Sequence, residues 1–325
     1  MMKTYLPLAI VLGLLCMAVP VSATTWHVSA DGETDFTTIQ AAILDDRVVP
    51  GDTISILPGM YTKFDVYKPY LTIRSEEGPG SVTVDCGSSD GICSRDNATG
   101  MVLDGLTIVN PGGCGLRLGE YGSADNSIVR SCIFKVDYLD ATSNNVTFEN
   151  NVFDGNNSGS TSNPKYNYLI CIGSGSNTIF NFKNNSIKNA GAKYYIGRFN
   201  NVGGVFENNL IENCTAPYGV LCVDNAATDY TISNNKLINQ TGIGLVLCRS
   251  ANSAITGNYF GNTSIYMYKS GENNRIYQNN NVSGVTLSGT APATTHWNST
   301  APVTYTCNGV EHTGFVGNFW SNYTA

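Results

Sequence analysis

Phe206-Glu207-Asn208-Asn209 is one copy of a phrase that this chain repeats. Upstream it reads Phe148-Glu149-Asn150-Asn151 and Phe182-Lys183-Asn184-Asn185. Downstream it reads Ile232-Ser233-Asn234-Asn235, Ile255-Thr256-Gly257-Asn258 and Ile276-Tyr277-Gln278-Asn279, with a more distant copy at Phe315-Val316-Gly317-Asn318. Successive final Asn residues are 34, 24, 26, 23, 21 and 39 positions apart. A period in the low twenties with inserts means a solenoid, because each unit can bury its apolar face only against its neighbours.

The composition of the unit selects the kind of solenoid. A leucine-dense pattern is absent, and helical repeats need amphipathic runs of ten or more residues. The runs here are short and rich in Val, Ile, Phe, Tyr and Thr, cut by Gly, Asn and Ser, which is strand-and-turn chemistry. Gly219-Val220-Leu221-Cys222-Val223 and Gly242-Ile243-Gly244-Leu245-Val246-Leu247 are examples. About three short strands per coil account for the period, with coils stacked at roughly 4.8 Å. Ten residues upstream of each phrase lies a second column, Ile172, Ile196, Cys222, Leu245 and Tyr266, which is expected to face inward. The Asn pairs are expected at a tight turn, where Asn tolerates left-handed geometry. Stacked at one corner, Asn151, Asn185, Asn209, Asn235, Asn258 and Asn279 are expected to form a hydrogen-bonded ladder along the axis.

The run Asn239 to Asn280, with its Gly-Ile-Gly-Leu, Ser-Ala-Asn-Ser-Ala-Ile-Thr-Gly-Asn and Asn-Asn-Arg-Ile-Tyr-Gln-Asn phrases, resembles the NosD-like repeats of exported archaeal and bacterial proteins. The ending Gly317-Asn318-Phe319-Trp320-Ser321-Asn322-Tyr323 is similar to the segment that closes such arrays. The resemblance covers residues 25–325 and implies an all-β fold, a single right-handed parallel β-helix of roughly ten coils. It specifies no activity.

Residues 1–23 read as a secretion signal: Lys3, an apolar Leu6–Val19 run, and the small-residue site Val21-Ser22-Ala23. The expected domain is therefore 24–325, exported to the cell surface, with no transmembrane segment in the mature chain. Residues 24–75 are expected to hold the N-terminal cap and first coils, including a short capping helix within 35–43. An inserted polar loop at 155–167 explains the 34-residue step, and 286–325 reads as an irregular C-terminal coil or cap.

Charged residues make up 13% of the chain and the net charge is −7, which argues against nucleic acid as a partner. Without Cys16, nine cysteines remain, an odd number that in an exported chain suggests disulfides and one thiol left over. Cys86 with Cys93, and Cys214 with Cys222, are candidate local bridges. Ten Asn-x-Ser/Thr sequons occur, of which Asn97 and Asn156 are the candidates for glycosylation.

A catalytic set is not evident. Asp137 with Asp140, and Asp224 with Asp229, read as solvated loop acids. The opening Gly59-Met60-Tyr61 resembles pectinesterases, but Lys63 stands where that family has Glu, and the later phrases are missing. Tyr194-Tyr195, Tyr266, Tyr268 and Phe319-Trp320 offer rings that could stack on sugars. The leading expectation is a self-assembling component of a surface layer, sheath or matrix, without a cofactor. The alternative is a polysaccharide-binding or polysaccharide-degrading β-helix, with Ca²⁺ expected only if it is a lyase.

Overall fold

The computed structural model describes residues 22–87, 90–155, 167–173, 178–200, 202–224, 229–240, 243–269, 272–289, 294–307 and 309–321. Most of the expected leader, Asn156 and the bulk of the 155–167 insert lie outside them.

The chain is a parallel β-solenoid of about ten turns. The phrase residue that precedes each Asn pair builds the first wall. Ile73, Leu103 and Val129 stand in register with one another, and the column continues through Phe148, Phe182, Phe206, Ile232, Ile255 and Ile276. All are buried. Phe182 and Phe206 stack at 5.1 Å between ring centroids with planes 3° apart, so the column is a continuous apolar pillar. Past the Asn corner comes a short second wall, whose inward column runs Ile108, Phe134, Phe153, Ile187, Ile211 and Leu237. The third wall is built of strands such as Tyr195–Asn200 and Gly219–Asp224. Strands Thr107–Ser123 and Ile133–Ala141 run through both later walls and join them into one sheet.

The corner after the first wall is made by two residues with different tasks. The first adopts left-handed geometry: φ is 58° at Asn150, 55° at Asn184, 56° at Asn208, 57° at Asn234 and 56° at Gln278. Gly257 does the same at φ 68°. The second turns inward and is 1–2% exposed at Asn151, Asn185, Asn209, Asn235, Asn258 and Asn279. Asn185 shows the pattern. Its Oδ1 accepts from Asn151 N at 2.9 Å and Asn151 Nδ2 at 3.0 Å. Its own Nδ2 donates to Phe148 O at 3.0 Å and Asn209 Oδ1 at 3.2 Å. The same bonds recur up to Asn279, which donates to Asn318 Oδ1 at 2.9 Å. A buried amide costs stability unless each donor and acceptor is met, and here every rung is met.

The N-terminal coil carries one short helix, Ile39–Leu44, capped by Thr38, whose side chain accepts from Ala41 N at 3.1 Å. Its buried Ile39, Ala42 and Ile43 join the core beside the first two strands. Buried Asp52 fastens the first strand, accepting from Thr24 N at 2.8 Å and Trp26 Nε1 at 2.9 Å. At the other end, Val303–Cys307 and Val310–Gly314 form an antiparallel hairpin.

The second sequence column is corrected by the register. Ile172 pairs with Phe199, then Val223, Leu247 and Met267. Cys222 is in register with Val246 and Tyr266, one position over, and so points out of the coil. The chain length between the third wall and the first differs from coil to coil, so a constant offset of ten residues slips off register.

The expected bridges are also corrected. Cys86, Cys93, Cys214 and Cys222 are free thiols. Cys214 Sγ turns to the Ile187 and Glu212 carbonyls, while Cys222 lies on the outward side of the third wall. Asn97 is exposed, and its Oδ1 accepts from Thr99 N at 3.2 Å.

Candidate functional site

The outward side of the third wall gathers the chain's polar chemistry. Asp65 is in register with Cys93, Cys93 with Arg117, and Arg117 with Asp140. The row continues through Cys171, Arg198 and Cys222. Their flanking neighbours Leu116, Leu118, Leu139, Ile170, Ile172, Leu221 and Val223 belong to the core. Strand alternation therefore lifts this row away from it.

Two clusters stand on the row. The first centres on Arg117, whose side chain is only 16% exposed. One Nη meets Asp90 at 3.3 Å and the other meets Glu120. Tyr121 lies beside it, its ring 5.6 Å from the guanidinium and its hydroxyl 3.4 Å from Asp90. Arg95, paired with Asp65 at 3.1 Å, covers the same ring at 4.3 Å. Asp140 follows on the next coil. Burial raises its carboxyl above the ordinary aspartate value, while the Arg117 charge and a Tyr138 hydrogen bond oppose that rise.

The second cluster centres on Arg198. One Nη meets Asp224 at 2.8 Å, and the other donates to Tyr168 Oη at 3.1 Å, with the Tyr168 ring 5.2 Å away. Tyr168 stacks parallel to Tyr195 at 6.2 Å, Tyr194 lies edge-on to Tyr218 at 5.4 Å, and Tyr218 is 57% exposed. In both arginines Nε is buried without a hydrogen-bond partner, which leaves one donor on each guanidinium uncommitted. Arg117 and Arg198 are three coils apart in register, roughly 14 Å at strand spacing.

Two acids expected as solvated loop residues are therefore placed differently. Asp140 and Asp224 stand on the strand face beside arginines, although Asp229 is an exposed turn residue at φ 58°. Of Asp137 only the backbone is described. Tyr194, Tyr195, Tyr266 and Tyr268 come to this one wall or its border. Phe319 does not: it borders a 750 Å³ hollow at the last rung of the Asn corner, and Trp320 packs on the core. Sequence reading missed Arg117, Arg198, Tyr121 and Tyr168, since only the register brings them together. Lys63, at the pectinesterase-like position, donates to Asp90 O at 3.1 Å.

The family model described as "Periplasmic copper-binding protein (NosD)" matches residues 121–325, more than half of the chain. The chain belongs to the NosD family. No curated protein matches it. Among solved structures, it is similar to alginate lyase AlyF-OU02 in complex with G6, at 12% identity and TM-score 0.46, covering 94% of this chain and 97% of that one. A PL6 alginate lyase in complex with a trisaccharide gives 12% identity and TM-score 0.45, covering 93% and 97%. The Azotobacter vinelandii mannuronan C-5 epimerase AlgE4 A-module gives 12% and 0.44, covering 79% and 94%. Similarity at this level carries nothing about activity.

The family's description names copper, and the donor set can be tested against it. Copper is held by imidazole and sulfur ligands. His27 faces Glu76 at 3.4 Å, His296 lies beside Arg275, and His312 stacks on Tyr305 at 5.4 Å, so the three are on separate elements. Among the described residues, no group of three His, Cys, Asp or Glu side chains is placed to hold a metal ion. The described residues do not fit a copper site.

Proposed function

We propose that this protein is an exported glycan-binding solenoid, and that the outward face of its third wall holds a neutral polysaccharide. The carrying observation is the pair of Arg–carboxylate–tyrosine clusters, at Arg117 and Arg198, in register on one wall. Tyrosine rings offer apolar faces for sugar rings. A guanidinium paired with a carboxylate offers fixed donors and acceptors to sugar hydroxyls. Strands hold both clusters on a rigid lattice, so little ordering is left for the moment of binding.

The charge balance selects a neutral ligand. Within the two clusters, Asp65, Asp90, Glu120, Asp140 and Asp224 outnumber Arg95, Arg117 and Arg198, and the chain carries −7 overall. A polyuronate would meet net repulsion here. The periplasmic description of the family supports export. A layer or sheath locked by disulfides finds no support in the thiols, since six of the eight described cysteines are buried and two are half-buried.

The test is binding of the purified chain to soluble and insoluble glycans by affinity electrophoresis and pull-down. Retention on a neutral polysaccharide, weakened about tenfold or more by Arg198→Ala, is expected. Retention only on polyuronates, or on none of the glycans, would sink the reading.

A further inference from the structure

We infer that copper is not the ligand of this solenoid, and that its described cysteines are built into the coils as hydrogen-bonded groups, six of the eight buried. The inference stands independently of the glycan reading.

Each described thiol has a local partner. Cys132 and Cys214, both fully buried, make the same two bonds at two different corners. Cys132 Sγ reaches the carbonyl two residues back, Arg130 O, at 3.2 Å and a carbonyl of the preceding coil, Leu103 O, at 3.8 Å. Cys214 Sγ reaches Glu212 O at 3.3 Å and Ile187 O at 3.8 Å. Cys86 and Cys93 likewise turn to carbonyls two residues back, Val84 O at 3.9 Å and Gly91 O at 3.6 Å, and Cys114 turns to Leu116 O at 3.2 Å. On the outward wall, Cys171 is hydrogen-bonded with Tyr138, Cys222 with Tyr195, and Cys248 with Asp224. A recurring bond of one kind at unrelated corners is a packing device of the coil.

Metal binding requires the thiolate. Burial pushes Cys86 and Cys114 up to about 12 and Cys93 up to about 11, and Cys132, Cys214 and Cys222 up to about 12. The nearest approach to a soft donor set is Cys86, Cys93 and Cys114, where Cys86 and Cys114 each feel Cys93. All three are buried, and each is already bonded to a backbone carbonyl. Cys171 and Cys222 have the whole Arg198 strand between them. The histidines that would suit copper(II) stand apart, as described above.

The experiment uses the untagged full chain, reduced and desalted. It is loaded with copper(I), then challenged with a chromophoric copper(I) chelator; copper(II) is followed by calorimetry. We expect less than about 0.1 equivalent of either ion to be retained. Ellman's reagent should leave the six buried thiols, Cys86, Cys93, Cys114, Cys132, Cys214 and Cys222, unreacted in the native chain and find them only in denaturant. About one retained copper per chain overturns the inference. If Cys93→Ala abolishes that retention, the metal belongs at Cys86, Cys93 and Cys114; if retention survives, it lies elsewhere. More than four fast native thiols among the ten cysteines would overturn the structural role assigned to the six buried ones.

Discussion

The Asn corner and the outward face of the third wall are built on the same coils yet constrained in opposite ways. At the corner, one residue type recurs because each rung must donate to and accept from an identical rung. On the face, Asp65, Cys93, Arg117, Asp140, Cys171 and Arg198 succeed one another in register, so the residue type changes at every coil and the order Asp-Cys-Arg comes round twice. The corner holds the coils together, and the face is free to carry whatever chemistry the ligand requires. Substitutions at the two places should therefore separate stability from binding.

The largest effect is expected at a middle rung. Asn209→Ala leaves Asn185 N without its acceptor, Asn185 Nδ2 with only one of its two, and the Phe182 carbonyl without its side-chain donor. The loss should be about 3 kcal/mol, since each unmet buried group costs about 1–3 kcal/mol. Urea unfolding followed by circular dichroism reads it; a midpoint unchanged from the native chain would show that the rungs contribute nothing. Glycan retention of the folded fraction should be unaffected.

On the face the pattern reverses. Tyr168→Ala should weaken glycan binding roughly tenfold through the lost ring and the lost partner of Arg198, while the unfolding midpoint moves little. Equal damage to both readouts would erase the distinction between corner and face.

A smaller effect tests the corner's first residue. Gly257 has φ 68°, and a Cβ there would come within 2.5 Å of Asn234 Oδ1. Gly257→Val should cost about 1–2 kcal/mol through left-handed strain. Gly257→Asn should cost less, because Asn holds this geometry at Asn150, Asn184, Asn208 and Asn234. Thermal melts of the two variants rank them, and a Val variant as stable as the Asn variant would remove the conformational argument.

The smallest expected effect concerns pH. Burial raises the Asp140 carboxyl above its ordinary value of 3.8, so the folded chain holds this proton more tightly than the unfolded chain. Its contribution to stability is present below that value and is lost as pH rises through the folded one. Asp140→Asn removes the loss, so the variant's advantage in urea midpoint should grow from pH 3.5 to 6. A constant difference across that range would show that Asp140 is not shifted upward.

The first wall was legible in the sequence because its phrase places Phe or Ile at a fixed distance from the Asn pair. The two sit on either side of one tight corner with no room for insertion. The third wall was not legible. Phe182 lies ten residues after its inward partner Ile172, but Phe206 lies only seven after Phe199. A slip of one residue turns a strand over, which is how Cys222 and Tyr266 were read as inward. Arg117, Asp140 and Arg198 carry no local signal at all. They are 23 and 58 positions apart in sequence, and only the coil register makes them one row.

The ladder also acts as a ruler that ignores contour length. Asn151 and Asn185 are 34 residues apart, Asn258 and Asn279 only 21, and Asn279 and Asn318 39, yet the side-chain bonds between them are 3.0, 2.9 and 2.9 Å. Chain can be added between rungs without changing the pitch, so any extra segment must bulge sideways rather than lengthen the rod. A solenoid of this kind can acquire new loops beside its binding face while the spacing of everything already on that face stays the same.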